Sequence, residues 1–295
     1  MLQIGTLQQY RSLLPEYTNL VDAVFLAEKC RTGTMVDRFP GVFLPENLKN
    51  LYVAMVDGVV AGTLAVKDMI VRRGQDHVRV RMVGLVAVKK ENRGQGIGRQ
   101  LLRAVTTDLQ VQAGLCVLWT TVPAFYAAAG WVGSDEGVVG EWHRTGACEQ
   151  LLDARPVVDC VARIEQIRQT SLSETTVRRP VDYVTVPPAV DAVWCLMAGD
   201  ACGEQAYALV GERGDTGVVY EIVGNAGCFG QLWHRVRRRF SAVCVNDSDG
   251  SASHRWWLRN SNVEWRRQNL GMWLGLDREQ MSCWPPPQIP FFDRI

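Results

Sequence analysis

The residues best suited to chemistry lie together from Lys89 to Gly98, in the order Lys-Lys-Glu-Asn-Arg-Gly-Gln-Gly-Ile-Gly. Behind this polar, glycine-dense loop, Leu101, Leu102, Val105 and Leu109 recur at helical spacing, so the loop opens a helix that Gly114 ends. The first N–H groups of a helix have no intrahelical partner and lie at the positive end of its dipole, which makes such a junction a seat for a pyrophosphate. Glycine lets the backbone come close to the phosphates and take positive φ. A Walker loop is excluded, because Gly98 is followed by Arg99-Gln100 instead of Lys-Ser/Thr, and a dinucleotide fingerprint would need a small residue where Arg99 stands. The pattern that remains is Arg93-x-x-Gly96-x-Gly98.

Proton acceptors are less well marked. No Asp or Glu occurs between Asp76 and Glu91, so the strand that enters the loop carries no carboxylate. Asp68 and Glu46 are possible substitutes, although each reads more simply as a solvated or capping carboxylate. His77 and His143 read as surface or satisfied histidines. The nine cysteines form no C-x-x-C pair, so no metal site is expected, and they read as reduced thiols of a cytoplasmic protein. Arg235, Arg237, Arg238 and Arg239 spread around a helix axis in a chain of net charge +1, which excludes a bulk attraction to nucleic acid. No apolar run approaches the ~20 residues of a membrane span, and no signal sequence opens the chain.

The elements that must hold the loop can be read around it. A helix is expected from Glu16 to Lys29. Leu51 to Val56 and Val59 to Val66 flank Asp57-Gly58, a hairpin signal. Alternation from Val78 gives way to continuous apolar residues up to Val88, as in a strand passing from an edge to a covered centre, with Gly84 marking an irregularity. A buried strand (Leu115 to Thr121), a short helix (Ala124 to Trp131) and a last strand around Val138-Val139 follow. The length suits two cores. The expected division is residues 1–150, a connection at 151–179 and a second unit at 180–295. In the second unit strands are expected at Val181 to Val186, Ala192 to Met197, Ala206 to Val210, Val218 to Val223 and Ala242 to Val245, with a helix from Gly230 to Phe240. The order hairpin, glycine-rich turn, helix, strand recurs, which points to an internal duplication. Five tryptophans from Trp256 onwards read as core.

Val86-Ala87-Val88 followed by Arg93-Gly94-Gln95-Gly96-Ile97-Gly98-Arg99 resembles the acyl-CoA motif of the GNAT acyltransferases, and Phe125-Tyr126-x-x-x-Gly130-Trp131 resembles their second signature. Phe39-Pro40, Pro45 to Leu51 and Leu118-Trp119 resemble a subgroup in which a GNAT domain precedes a degenerate GNAT-like one. The resemblance implies an α/β fold with a mixed, mostly antiparallel central sheet flanked by helices, twice in tandem. It also implies acetyl-CoA as co-substrate, no metal, and transfer to a primary amine, most simply of a small molecule; a non-catalytic acyl-CoA sensor and a protein lysine acetyltransferase are the alternatives. Val86, Ala87 and Val88 would bond the pantetheine arm and stabilise the thioester oxyanion, and the amides from Arg93 to Arg99 would hold the pyrophosphate. Tyr126 would protonate the departing thiolate; its alternative is a packing role among alanines. Gly224 to Gly230 lacks the arginine and the Gly-x-Gly step, so no CoA is expected there.

Overall fold

The computed structural model describes residues 1–111, 114–144, 153–199, 203, 205–275 and 285–295. Residues 145–152, where the connection between the two units is expected to begin, lie outside the described residues. The first half runs β1 (Leu2–Thr6), α1 (Leu14–Phe25), α2 (Met35–Arg38), β2 (Leu51–Val56), β3 (Val59–Arg73), β4 (Asp76–Val88), α3 (Ile97–Val111), β5 (Leu115–Trp119), α4 (Pro123–Ala127), β6 (Val132–Gly133) and β7 (Gly137–His143). The second runs β8 (Arg155–Pro156), α5 (Val161–Ser171), β9 (Glu174–Val177), β10 (Ala192–Gly199), β11 (Gln205–Arg213), β12 (Thr216–Gly224), α6 (Phe229–Arg239), β13 (Ala242–Ser248), α7 (Ala252–Asn260), β14 (Glu264–Arg267) and β15 (Gly271–Leu274).

These strands form two mixed sheets, each antiparallel except for one central parallel pair. One is ordered β1-β2-β3-β4-β5-β15-β6 with β9 added to β3; the other is β14-β7-β13-β12-β11-β10-β8. Chain order and sheet membership part at three strands, β9 on β3 being one of them. β15, from the far end of the chain, lies antiparallel between β5 and β6, and β7 leaves the first half to lie antiparallel between β13 and β14. With β9 on β3, the first sheet therefore receives two strands from the second half, and the second sheet receives one from the first.

Local chemistry explains most elements. Asp57 and Gly58 both have positive φ (50° and 81°), the backbone twist that a two-residue hairpin requires. β3 and β4 continue past their expected ends to a turn at Gly74-Gln75. α1 stops at Phe25, and a separate 3-10 turn, Ala27–Lys29, follows. α3 lays Ile97, Leu101, Leu102, Val105 and Leu109 on one face of the first sheet, against Leu64, Val66, Val83, Cys116 and Leu118, while Tyr17, Val21 and Leu26 on and just after α1 cover the other. The second sheet is covered by α6 and α7 on one face and α5 on the other.

The strand expected at Val181 to Val186 is a 3-10 helix, Pro180–Val184. Pro180 fixes φ at its first turn, and the Asp182 carboxylate accepts the Arg179 N–H at 2.8 Å, so the backbone turns despite its β-branched residues. The strand in this region is instead β9, which pairs with β3 from Arg73↔Glu174 to Ile70↔Val177.

Candidate functional site

β4 and β5 are parallel neighbours only from Val80↔Leu115 to Met82↔Val117. Beyond Met82 the strands part, and β4 runs on to Val88 without a β5 partner. Within this opening the β3–β4 register slips: Ala65 faces Gly84 and Thr63 faces Ala87, so Leu64 is opposed by both Leu85 and Val86. Leu85 has φ of 51°, and the bulge bends β4 and re-aims its backbone groups. The irregularity expected at Gly84 thus falls just beyond the last β5-paired residue, Met82.

The glycine loop stands at the top of this opening. After a 3-10 turn at Lys90–Asn92, Gly94 and Gly96 take φ of 79° and 76°, and α3 begins at Ile97. Gly94 has open space where a Cβ would stand, so its backbone is approachable. A Cβ on Gly98 would meet Val88 Cγ2 at 3.2 Å and Phe125 Cζ at 3.6 Å, and this small residue lets α3 and α4 close on β4. Gln95 and Arg99 are exposed at the loop and first turn. Arg93 Nε donates to the Val88 carbonyl at 3.0 Å, and its Nη2 pairs with Glu28 at 2.8 Å, both side chains being about half exposed. Glu28, just beyond α1, carried no signal in the sequence; its contact depends on a long-range approach.

Tyr126 lies on α4, 8% exposed, with its ring edge-on to Phe125 (5.0 Å between centroids) and Trp131 (6.4 Å). Burial pushes its hydroxyl up to about 12, so it remains protonated at neutral pH. It packs in the same apolar cluster as α3 and the partly buried Val86 and Val88. The structure therefore gathers Val86 to Val88, Arg93 to Arg99 and Tyr126 around one opening. The possible bases are elsewhere or engaged. Asp68 pairs with Arg79 (2.8 Å) and Arg81 (3.2 Å), Glu46 is exposed on the turn Pro45–Asn50, and His77 and His143 are exposed on β4 and β7.

A residue from the far end of the sequence completes the opening. A Cβ on Gly84 would lie 2.7 Å from Ile295 Cγ1 and 2.8 Å from Ile295 O, so only glycine admits this approach. The Ile295 N–H points to Met82 Sδ at 3.2 Å. Next to it Arg294 is stacked over Trp119 (4.4 Å) and Phe291 (3.6 Å), and burial lowers its guanidinium to about 10. A cavity of 550 Å³ lies apart from the glycine loop, beside β9 and the Pro180–Val184 turn, lined by Lys67, Ile70, Val177 and Arg178 among others. Among the described residues there is no cluster of His, Cys, Asp and Glu arranged for a metal, and no helix is long and apolar enough to cross a membrane.

The family model for an acetyltransferase (GNAT) domain matches residues 9–132. Among solved structures, the chain is similar to a GCN5-related N-acetyltransferase from Anabaena variabilis (17% identity, 92% of this chain and 72% of that one, TM-score 0.68). It is also similar to a probable N-acyltransferase from Enterococcus faecalis (15%, 92% and 72%, 0.69). Saccharomyces cerevisiae N-myristoyltransferase, solved with myristoyl-CoA and inhibitors, shares the fold at 7% identity over 95% of this chain and 83% of its own, with a TM-score of 0.56. No curated protein matches the sequence. At these identities the structural likeness establishes the fold.

Proposed function

We propose that the chain, whose residues 9–132 match the model of an acetyltransferase (GNAT) domain, transfers an acetyl group from acetyl-CoA to a primary amine, most simply that of a small molecule. The observation that carries this reading is the coincidence, in one place, of a β4 backbone without a β5 partner and a glycine loop opening α3. A helix N-terminus with approachable glycines suits the pyrophosphate, and the edge of β4 at Val86 to Val88, paired to β3 but without a β5 partner, suits the amide-rich pantetheine arm. We assign the catalytic unit to residues 1–150 completed by β15, and the second unit to residues 180–295. Among the described residues, thiols outside any disulfide at Cys30, Cys116, Cys160, Cys195 and Cys244 suit a reducing cytoplasm.

In the reaction the neutral amine nitrogen forms a bond to the thioester carbonyl carbon, the adduct nitrogen gives its surplus proton to water, the C–S bond breaks, and CoA leaves as its thiolate. Backbone N–H groups at the bulge face the oxygen on which charge develops. An alkylamine of pKa ~10.4 must lose a proton before attack, so turnover rises with pH through the neutral range. The Ile295 main-chain oxygen, beside Gly84, accepts a hydrogen bond from the incoming amine. Tyr126 donates to the departing sulfur. A phenol near 12 does not readily surrender its proton to a thiolate whose conjugate acid is near ~8.5. The tyrosine therefore acts as a hydrogen-bond donor that favours the developing thiolate, with partial transfer.

The test is a thiol-release assay with acetyl-CoA against amines, amino acids and peptides. Small amines should be the best acceptors; release only with peptides would reassign the acceptor class. Tyr126→Phe should lower kcat by about 10²-fold, the low end of general acid catalysis, with the CoA dissociation constant nearly unchanged. A kcat within about twofold of wild type would reduce Tyr126 to a packing residue.

A further inference from the structure

Where β9 of the first sheet meets β11 and β12 of the second lies a group of charges that no acyl-transfer step uses. Arg178, with its side chain 1% exposed, donates Nη1 and Nη2 to the two oxygens of Glu221 at 2.8 and 2.7 Å. Its Nε and Nη2 reach Asp293 at 2.7 and 3.1 Å. Arg168, fully buried on α5, donates to the Thr176 carbonyl at 2.7 Å and lies 3.4 Å from Glu221, and Tyr207 donates to Glu221 at 2.6 Å. The Thr176 hydroxyl donates to Asp293 as well. Burial alone would raise the Asp293 and Glu221 carboxyls, but the two guanidiniums more than offset it and both are held below their ordinary values.

Asp293 stands two residues before Ile295, and every residue between Phe291 and Ile295 is fastened. Phe292 lies under the Arg178 guanidinium at 4.9 Å. Arg294 is clasped between Trp119 and Phe291 and donates to the Ile289 carbonyl at 3.2 Å. Ile295 fills the space that Gly84 leaves open. The segment is thus anchored at Asp293 in the ionic cluster between the two sheets and meets the bulge of the first at Ile295.

We infer that Arg178, acting through Asp293, is a positioning residue for acyl transfer: the ionic cluster between the two sheets sets where Ile295 stands at the Gly84 bulge. The second sheet then serves the reaction as the scaffold of the first site, with no ligand of its own needed. A core placed only for stability would have no reason to be coupled to Gly84, whereas a positioning device must be.

This inference rests on the acetyltransferase reading for its effect on rate, so the test has an arm that does not. Asp293→Asn, which keeps shape and removes charge, and Gly84→Ala, which pushes Ile295 away from the other end, are made singly and together. Hydrogen exchange is followed by mass spectrometry over residues 82–88, along with kcat and the acetyl-CoA dissociation constant. Each single change should speed exchange at residues 82–88. Each should also lower kcat roughly ten- to a hundredfold, as a displacement of about 1 Å does, while CoA affinity stays within about twofold. Together they should cost little more than the larger single effect, because both release the same segment. Unchanged exchange at residues 82–88 in Asp293→Asn, or losses that multiply independently, would overturn the inference. A wild-type protein that releases no thiol with any amine would instead refute the acetyltransferase reading and leave the exchange result to decide the positioning. Should Asp293→Asn fail to fold, Gly84→Ala with Arg178→Lys replaces it, and the same coupling is required.

Discussion

The two sheets open in the same way and fill the opening differently. In each, the central parallel pair separates after a few residues: β4 leaves β5 beyond Met82, and β12 leaves β13 beyond Val219. Each departing strand carries a register slip, between Thr63 and Ala65 opposite β4 and between Leu209 and Val210 opposite β12. Counted from the first parallel-paired residue, Val80 or Thr216, Gly84 and Tyr220 hold the same place, and so do Leu85 and Glu221. The first opening is lined by apolar side chains and approachable backbone. The second holds the Tyr220 ring against Phe292 and the Glu221 carboxylate among two arginines. Its loop differs too, since the Gly227 N–H is taken at 2.7 Å by Asn225 Oδ1, whereas Gly94 and Gly96 adopt positive φ, 79° and 76°. A duplicated frame can keep its topology and still change use, because a few side chains decide whether the opening admits a ligand or becomes core.

The largest effect should come from the filled opening. Glu221→Ala leaves Arg168 and Arg178 buried without their shared carboxylate, and breaking a buried ion pair costs about 3–5 kcal/mol. Urea unfolding should show that loss; one below about 1 kcal/mol, the range of exposed pairs, would mean water already reaches the cluster. Next comes the open one. Gly96→Val forces a β-branched residue to positive φ in the loop, a strain of about 1–3 kcal/mol, or roughly ten- to a hundredfold in CoA affinity by calorimetry. Gly227→Val should leave CoA binding untouched and the stoichiometry at one. A second equivalent site would erase the distinction between the openings.

The smallest effect concerns acid. Asp182, Glu221 and Asp293 all titrate below their ordinary values in the folded protein, each lowered by neighbouring Lys or Arg in spite of burial. Their contribution is present above the unfolded carboxylate range, near ~4, and is lost as pH falls through that range towards the folded values. Thermal melts should therefore weaken below about pH 4, and less so in Asp293→Asn, which has one such group fewer. Equal acid sensitivity in the two proteins would argue against Asp293 as a member of the cluster.

How much of this could be read from the sequence follows the range of the interactions. The Asp57-Gly58 hairpin, the α3 face and the Arg93 to Gly98 loop are set by neighbours along the chain, and the structure has each where its residues pointed. The strand expected at Val181 to Val186 failed on equally local grounds, since Pro180 and the Asp182 carboxylate outweigh β-branching there. Long-range partners were illegible. Val138 and Val139 do form a strand, but nothing in a short apolar run says which sheet it joins, and β7 pairs with β13 and β14. Gly84 signalled an irregularity in β4, yet its occupant lies more than two hundred positions later, at Ile295.

The placement of β15 also bears on how the molecule is made. During synthesis β5, Leu-Cys-Val-Leu-Trp, emerges with its parallel neighbour β4 already available, but the strand that covers its other edge leaves the ribosome only after β6 to β14 have been made. Until residues 271–274 arrive, that apolar edge is open to pairing with another chain, the hazard that uncovered edges carry. Closing it requires contacts between distant parts of the sequence, which slows folding. A nascent first half is therefore a candidate for chaperone protection, and a gene cut between the halves would yield two fragments, each lacking a strand that the other carries.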